Sequence, residues 1–125
     1  MSADPPRFPF CASAALAEGR HLKLKMMFEA REEECLLIRF HGQCYAYINR
    51  CVHMPRPLDC EQDLVFDPTG LYLRCSMHGI VYTPETGVSV SALCEGERLR
   101  AVSAYEENGE VGIADWRVSA ILSAA

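Results

Sequence analysis

Two short motifs constrain this chain more than any other feature. They are Cys51-Val-His53 and Cys75-Ser-Met-His78, the second followed by Gly79. Each puts one thiolate and one imidazole on a short stretch, and residues 54–74 separate the two. For four such donors to meet, a framework must hold two loops, distant in sequence, face to face. Two Cys and two His suit a tetrahedral zinc site. They also suit a [2Fe–2S] cluster in which His replaces Cys on one of the two irons. Composition does not choose between these, but arrangement favours the cluster. Zinc sites of this kind usually pair like ligands locally, as C-x-x-C followed by H-x-x-x-H. Here each loop carries one of each type, which suits two thiolates converging on one iron and two imidazoles on the other.

The rest of the chain reads as an all-β framework for such loops. His21–Phe28 alternates in part, with Leu22, Leu24 and Met26 set against Lys23 and Lys25, and predicts a strand. Cys35–Phe40 and Gln43–Ile48 predict a hairpin around His41-Gly42, with Tyr45 and Tyr47 on one face and Cys44, Ala46 and Ile48 on the other. A two-residue turn there pairs Phe40 with Gln43, sets Cys44 against Arg39 and Cys35 against Ile48, and so argues against a Cys35–Cys44 disulfide. Arg50–Pro57 reads as a loop. Leu71–Arg74 and Ile80–Thr83 read as short strands, and Pro84-Glu-Thr-Gly87 as a turn. Leu99–Tyr105 and Glu110–Ala114 predict a second hairpin around Asn108-Gly109. The first ten residues read as an extended arm, Cys11–Glu18 as a helical turn stopped by Gly19, Ala30–Glu34 as a charged turn, and Trp116–Leu122 as a terminal helix. Many short strands with little helix argue for one all-β domain, a size that 125 residues suit.

Charge and cysteine usage narrow the function classes. A formal charge of −5 argues against nonspecific nucleic-acid binding, which rests on Lys and Arg meeting phosphates, and suits docking onto a basic partner. No apolar run approaches the roughly 20 residues of a membrane helix. The N-terminus is interrupted by three prolines and lacks the basic start and apolar stretch of a signal peptide, so a cytoplasmic location is expected. Seven cysteines, an odd number, read poorly as a disulfide framework. Cys11, Cys35, Cys44, Cys60 and Cys94 are expected to be small buried hydrophobes, with Cys60 and Cys94 candidates for lying near the metal centre. His21 and His41 have no partner at ligand spacing. Glu32-Glu-Glu34 and Glu106-Glu107 read as solvated turns.

The pattern Cys-x-His, then Cys-x-x-His-Gly, resembles the signature of the Rieske family. The likeness extends to Ala46-Tyr-Ile-Asn-Arg-Cys51 entering the first loop, Cys75-Ser-Met-His-Gly-Ile-Val-Tyr82 forming the second, Thr83-Pro-Glu-Thr-Gly87 turning after it, and the Asn108-Gly109 hairpin turn, from about Cys11 to Ala114. The resemblance implies a Rieske fold: an antiparallel β sandwich or barrel-like base with a small inserted cluster-binding subdomain at about 50–95, and a short C-terminal tail at 115–125. It implies one Rieske-type [2Fe–2S] cluster, with Cys51 and Cys75 on the inner iron and His53 and His78 on the outer, more exposed one. Around them it implies Met54, Pro55 and Leu58 as an apolar lid, Gly79 relieving crowding, Ile80 where high-potential relatives carry a hydrogen-bonding Ser, and Tyr82 as a remaining donor. Arg56 and Met77 stand where those relatives carry a loop-linking disulfide. Ser91-Ala-Leu-Cys94 occupies the third loop without the usual Gly-Pro.

Oxygenation needs a second, mononuclear iron held by two His and a carboxylate, and only His21 and His41 remain. No catalytic residue is therefore expected. The leading expectation is a ferredoxin-like one-electron carrier between a flavin reductase and a terminal oxygenase or other oxidoreductase, with neither nucleic acid nor membrane as partner. The alternatives are a small electron-transfer subunit of a nitrite reductase-like complex, a redox sensor and a structural zinc domain.

Overall fold

The hairpin run Cys35-Leu-Leu-Ile38 is buried at every position, so its strand must be covered on both faces. The computed structural model, which describes residues 4–52, 56–59, 64–75 and 79–124 and only the backbone of Leu93, shows what covers them. The strands are β1 (Arg7–Ala12), β2 (His21–Phe28), β3 (Arg31–Phe40), β4 (Gln43–Ile48), β5 (Leu73–Arg74), β6 (Val81–Tyr82), β7 (Ala101–Val102), β8 (Ala104–Glu107), β9 (Glu110–Ala114) and β10 (Val118–Ala124). They form a five-stranded sheet in the order β10-β2-β3-β4-β7, a three-stranded sheet β1-β9-β8, and a small β5-β6 pair, with every pairing antiparallel.

Side-chain alternation along a strand divides the five-stranded sheet into two faces. Leu24, Met26, Phe28, Cys35, Leu37, Ala46 and Ile48 meet Val111 and Ile113 of the small sheet in one core. Leu36, Ile38 and Tyr47 point the other way and meet Cys51, Leu58, Leu73, Cys75, Ile80 and Tyr82 in a second core. The central hairpin is therefore the floor on which the two metal-motif loops are built. Its register is the predicted one, with Phe40 opposite Gln43, Cys44 opposite Arg39 and Cys35 opposite Ile48. His41 and Gly42 both take positive φ, as a type I′ turn requires.

Several local expectations are corrected. Within the first ten residues, Arg7 onward is not a loose arm but the start of β1, hydrogen-bonded to β9. Only Ser13–Ala15 of the Ala-rich stretch is helical, as a single 3-10 turn. The charged segment Ala30–Glu34 is not a turn beyond Ala30; Arg31–Glu34 continue β3 opposite β2. Leu99–Tyr105 is split: Ala101–Val102 pairs with β4, and only Ala104–Glu107 forms the hairpin with β9. Trp116–Leu122 is not a helix. Buried Asp115 accepts the Arg117 N–H (2.8 Å) and turns the chain, Val118 is buried, and β10 adds to the edge of β2, with register shifts after Val118 and Ile121. The free edge of β2 offers a full ladder of partners that a short helix could not satisfy.

Two acidic groups tie these sheets together. The Arg39 guanidinium reaches from β3 to Glu106 on β8 (2.7 Å) and holds its carboxyl at about 2, below an ordinary 4.5. Arg117 does the same for buried Asp115, lowering it from 3.8 to about 2. A depressed folded-state pKa gives stability that is complete above the ordinary value and lost as pH falls toward the folded one. Acid titration should therefore lower the unfolding free energy between about pH 4.5 and about pH 2. Glu106→Gln should flatten part of that drop in chemical-denaturation curves taken across the range.

Candidate metal centre

The first loop leaves β4 through Asn49, which is buried and fully used. Its Nδ2 donates to Glu34 Oε1 (2.6 Å) and Asp59 Oδ1 (3.0 Å), and its Oδ1 accepts the Leu58 N–H (2.8 Å). Asp59 in turn pairs with Lys23 of β2 (2.8 Å). One amide thus pins both ends of the 50–58 segment to the sheet. Sequence reasoning passed over Asn49, Asp59 and Lys23; the available signal was an Asn at the strand end directly before a loop, a place where a side chain that both donates and accepts can satisfy exposed backbone.

The two loops close in the same way. The Cys51 N–H donates to the Arg56 carbonyl (2.8 Å), and the Cys75 N–H donates to the Ile80 carbonyl (2.9 Å). Each closure spans five residues, and each begins at a motif cysteine. The Gly79 N–H also returns to the Cys75 carbonyl (2.8 Å), with Gly79 at φ +70. A side chain at Gly79 would press on the Arg74 guanidinium, 3.3 Å from its Nη2. The described neighbour crowding this glycine is therefore a cation on β5.

Cys51 and Cys75 are 2% and 1% exposed and share one apolar core with Leu58, Ile80 and Tyr82. The Tyr82 hydroxyl accepts the Val52 N–H (3.2 Å) and lies 3.2 Å from Cys51 Sγ. Burial, reinforced by Cys51, raises the Tyr82 pKa far above that of an ordinary phenol, so it stays protonated and can donate to a thiolate. Cys94, on the 3-10 turn Ala92–Cys94, is buried in the same core. His53, His78, Met54, Pro55, Cys60 and Met77 lie outside the described residues.

The remaining candidates are accounted for by packing and pairing. Cys35 is fully buried, and burial pushes its thiol up to about 12; Cys11 and Cys44 are half-buried, and none of these three is in a disulfide. His41 stacks on Phe40 at 3.8 Å in its turn. Glu33 pairs with Arg50 (2.8 Å) and Glu107 with Arg7 (2.9 Å), while Glu34 binds Asn49. The Glu32–Glu34 run is therefore strand-borne and partly engaged, not a solvated turn.

Two buried thiols, at the bases of equivalent loops and beside a protonated phenol donor, form a suitable thiolate half for a mixed Cys/His cluster. A family model for the Rieske [2Fe-2S] domain matches residues 7–106. The chain belongs to the Rieske [2Fe–2S] domain family. Its cofactor is a Rieske-type [2Fe–2S] cluster. This Rieske chain superposes on solved structures with the same fold. One is the reduced complex between oxygenase and ferredoxin in carbazole 1,9a-dioxygenase, at 27% identity and TM-score 0.69 over 86% of this chain and 27% of that chain. A second is the ferredoxin of carbazole 1,9a-dioxygenase from Nocardioides aromaticivorans IC177, at 20% identity and TM-score 0.66 over 87% of this chain and 97% of that one. A third is the terminal oxygenase of carbazole 1,9a-dioxygenase from Novosphingobium sp. KA1, at 24% identity and TM-score 0.70 over 87% and 30%. The Rieske chain thus spans less than a third of the oxygenase-complex chain it matches. No curated protein matches it. Among the described residues, no helix is long and apolar enough to cross a membrane.

Proposed function

We propose that this Rieske protein is a ferredoxin-like one-electron carrier, its cluster held by Cys51, His53, Cys75 and His78, serving between a reductase and an oxygenase or other redox enzyme. The observation that carries this reading is the matched pair of loop closures at Cys51 and Cys75, which buries both thiols over one sheet. The partner class is supported by the 27%-identical chain from an oxygenase–ferredoxin complex. The cluster supplies one-electron chemistry. The chain's own residues bury the thiolates, exclude water through Leu58, Ile80 and Leu73, and direct the Tyr82 O–H at Cys51 Sγ. Reconstitution with a flavoprotein reductase, NADH and cytochrome c tests the role. The reading expects cytochrome c reduction proportional to added protein; a rate independent of the protein would contradict it.

The same residues set an expectation for the potential. Ile80 is buried and carries no hydroxyl, and the Tyr82 hydroxyl lies 3.2 Å from Cys51 Sγ. Fewer donors make the reduced cluster, which bears more negative charge, less stable. The potential is expected near the lower end of the range of about −150 to +300 mV, and a value above about +150 mV would contradict this. Tyr82→Phe is expected to lower it further by tens of mV, since about 59 mV corresponds to a tenfold change for one electron. An unchanged potential in a variant with normal iron content would remove Tyr82 from that role.

A further inference from the structure

Beside the first loop lies a groove of about 330 Å³ lined by Ile48, Arg50, Cys51, Val52, Arg98 and Arg100. Its apolar lining includes Cys51, and among the described residues its charged lining is three arginines with no carboxylate. In a chain of net charge −5, this is a local reversal of sign.

The three guanidiniums are not equally committed. Arg50 pairs with Glu33 (2.8 Å) and Arg100 with Glu29 (2.9 Å), and both arginine side chains are about half exposed. The Arg100–Glu29 pair is exposed on both sides and exchanges readily, whereas Glu33 is only 10% exposed and holds Arg50 more firmly. Arg100 also lies 5.0 Å over the Phe28 ring, which fixes its stem at the rim. Arg98 is exposed and has no ion pair among the described residues. Glu97 precedes Arg98 in the chain but does not line the groove; its carboxylate acts on Cys94 instead. The groove has room for one or two side chains, being near the small end of ligand sites of about 300–1,000 Å³.

We propose that this groove is a docking site for an acidic segment of a partner protein, with a carboxylate on Arg98 and a neighbouring aliphatic side chain on Ile48 and Val52. Charge complementarity carries the choice of occupant: a planar guanidinium with no ion pair among the described residues takes a carboxylate in two parallel hydrogen bonds. The role rests on the carrier reading, because an occupant of this groove sits against Cys51. It also reverses the expectation drawn from net charge, in which the protein docks onto a basic partner through its acidic surface.

Hexaglutamate titrated into the cluster-loaded protein at low ionic strength, followed by calorimetry with hexalysine as control, tests the groove. Hexaglutamate is expected to bind, Arg98→Gln to weaken it by about fivefold or more, and Arg98→Lys to fall between the two, since it keeps the charge but loses the bidentate fork. The dithionite-reduced protein should pass its electron to ferricyanide, giving oxidised cluster and ferrocyanide, and hexaglutamate should slow that transfer. Arg98→Gln should itself cut the ferricyanide rate about threefold, because one charge supplies only part of the roughly 10–10³-fold that electrostatic steering by a whole surface can give. Oxidation by the cationic tris(phenanthroline)cobalt(III) should not fall. No hexaglutamate binding, or binding unchanged in Arg98→Gln, together with rapid oxidation by the cobalt complex, overturns the groove and leaves the carrier. Slow transfer to both oxidants overturns the carrier reading and the groove's role with it.

Discussion

Cys75→Ala is expected to yield a chain that retains almost no iron when purified or reconstituted, and Cys51→Ala should do the same. Both thiols sit at the start of a loop whose first N–H closes on the fifth residue onward, to Ile80 and Arg56. Both are essentially inaccessible to water, so neither can be replaced as a ligand by solvent at small cost. The loss should not extend to the other described cysteines. Cys35 is equally buried but faces the opposite core, across the sheet from the loops. Cys35→Ala should therefore lower stability by a few kcal/mol at most, as deletion of one buried side-chain atom does, and keep its full iron content. Iron and acid-labile sulfide, measured per chain in the three variants, check this. Normal iron in Cys75→Ala would remove it from the ligand set, while equal losses in all three would mean that folding, not ligation, was being read.

The second large effect is expected at a residue that ligates nothing. Gly87 ends the turn after β6 at φ +73, and a Cβ there would stand 2.7 Å from Tyr47 Cε1. Tyr47 cannot give way: it is 2% exposed, and its hydroxyl donates to the Pro84 carbonyl at 2.6 Å. Gly87 also donates to the Thr83 carbonyl (2.8 Å) and accepts the Leu99 N–H (2.9 Å). The turn thus seats the β5-β6 pair, which carries the second loop, onto the central hairpin. Gly87→Ala adds an overpacking penalty of about 1–3 kcal/mol to a left-handed backbone penalty of about 1–2 kcal/mol. Gly96 supplies the control. It has φ +84 with nothing within 4 Å of an added Cβ, so Gly96→Ala carries the backbone penalty alone. Thermal unfolding should separate the two variants by about 5–10 °C. Equal midpoints would show that Tyr47 yields.

The parts of the fold that could be read in the sequence were those decided locally. His41-Gly42 and Asn108-Gly109 fix their turns through backbone that few other residue pairs adopt, and the register of β3 with β4 follows directly. The parts read wrongly were decided by partners distant in the chain. Trp116–Leu122 has no strict alternation, and its strand exists because the edge of β2 stands open beside it. Arg31–Glu34 is charged enough to pass for a turn, yet Glu33 and Glu34 are held in β3 by Arg50 and Asn49 from the next loop. At the candidate site, spacing singled out the cysteines because a metal centre demands particular residue types. Asn49, Asp59 and Lys23, which brace the first loop, carry no such demand, since many polar residues satisfy a loop end in other proteins. The arginine groove was masked in composition by the chain's net negative charge.

The central claim is that four residues of two kinds, two thiolates and two imidazoles, hold a two-iron cluster. The EPR spectrum of the dithionite-reduced protein, read beside its iron and sulfide content, tests it most directly. The account predicts two irons and two sulfides per chain and an average g value below that of all-cysteine [2Fe–2S] clusters, moving toward the all-cysteine value, or vanishing with the cluster, in His53→Cys and His78→Cys. A colourless protein containing zinc and no iron, or a spectrum of all-cysteine type in the unmodified chain, would contradict it.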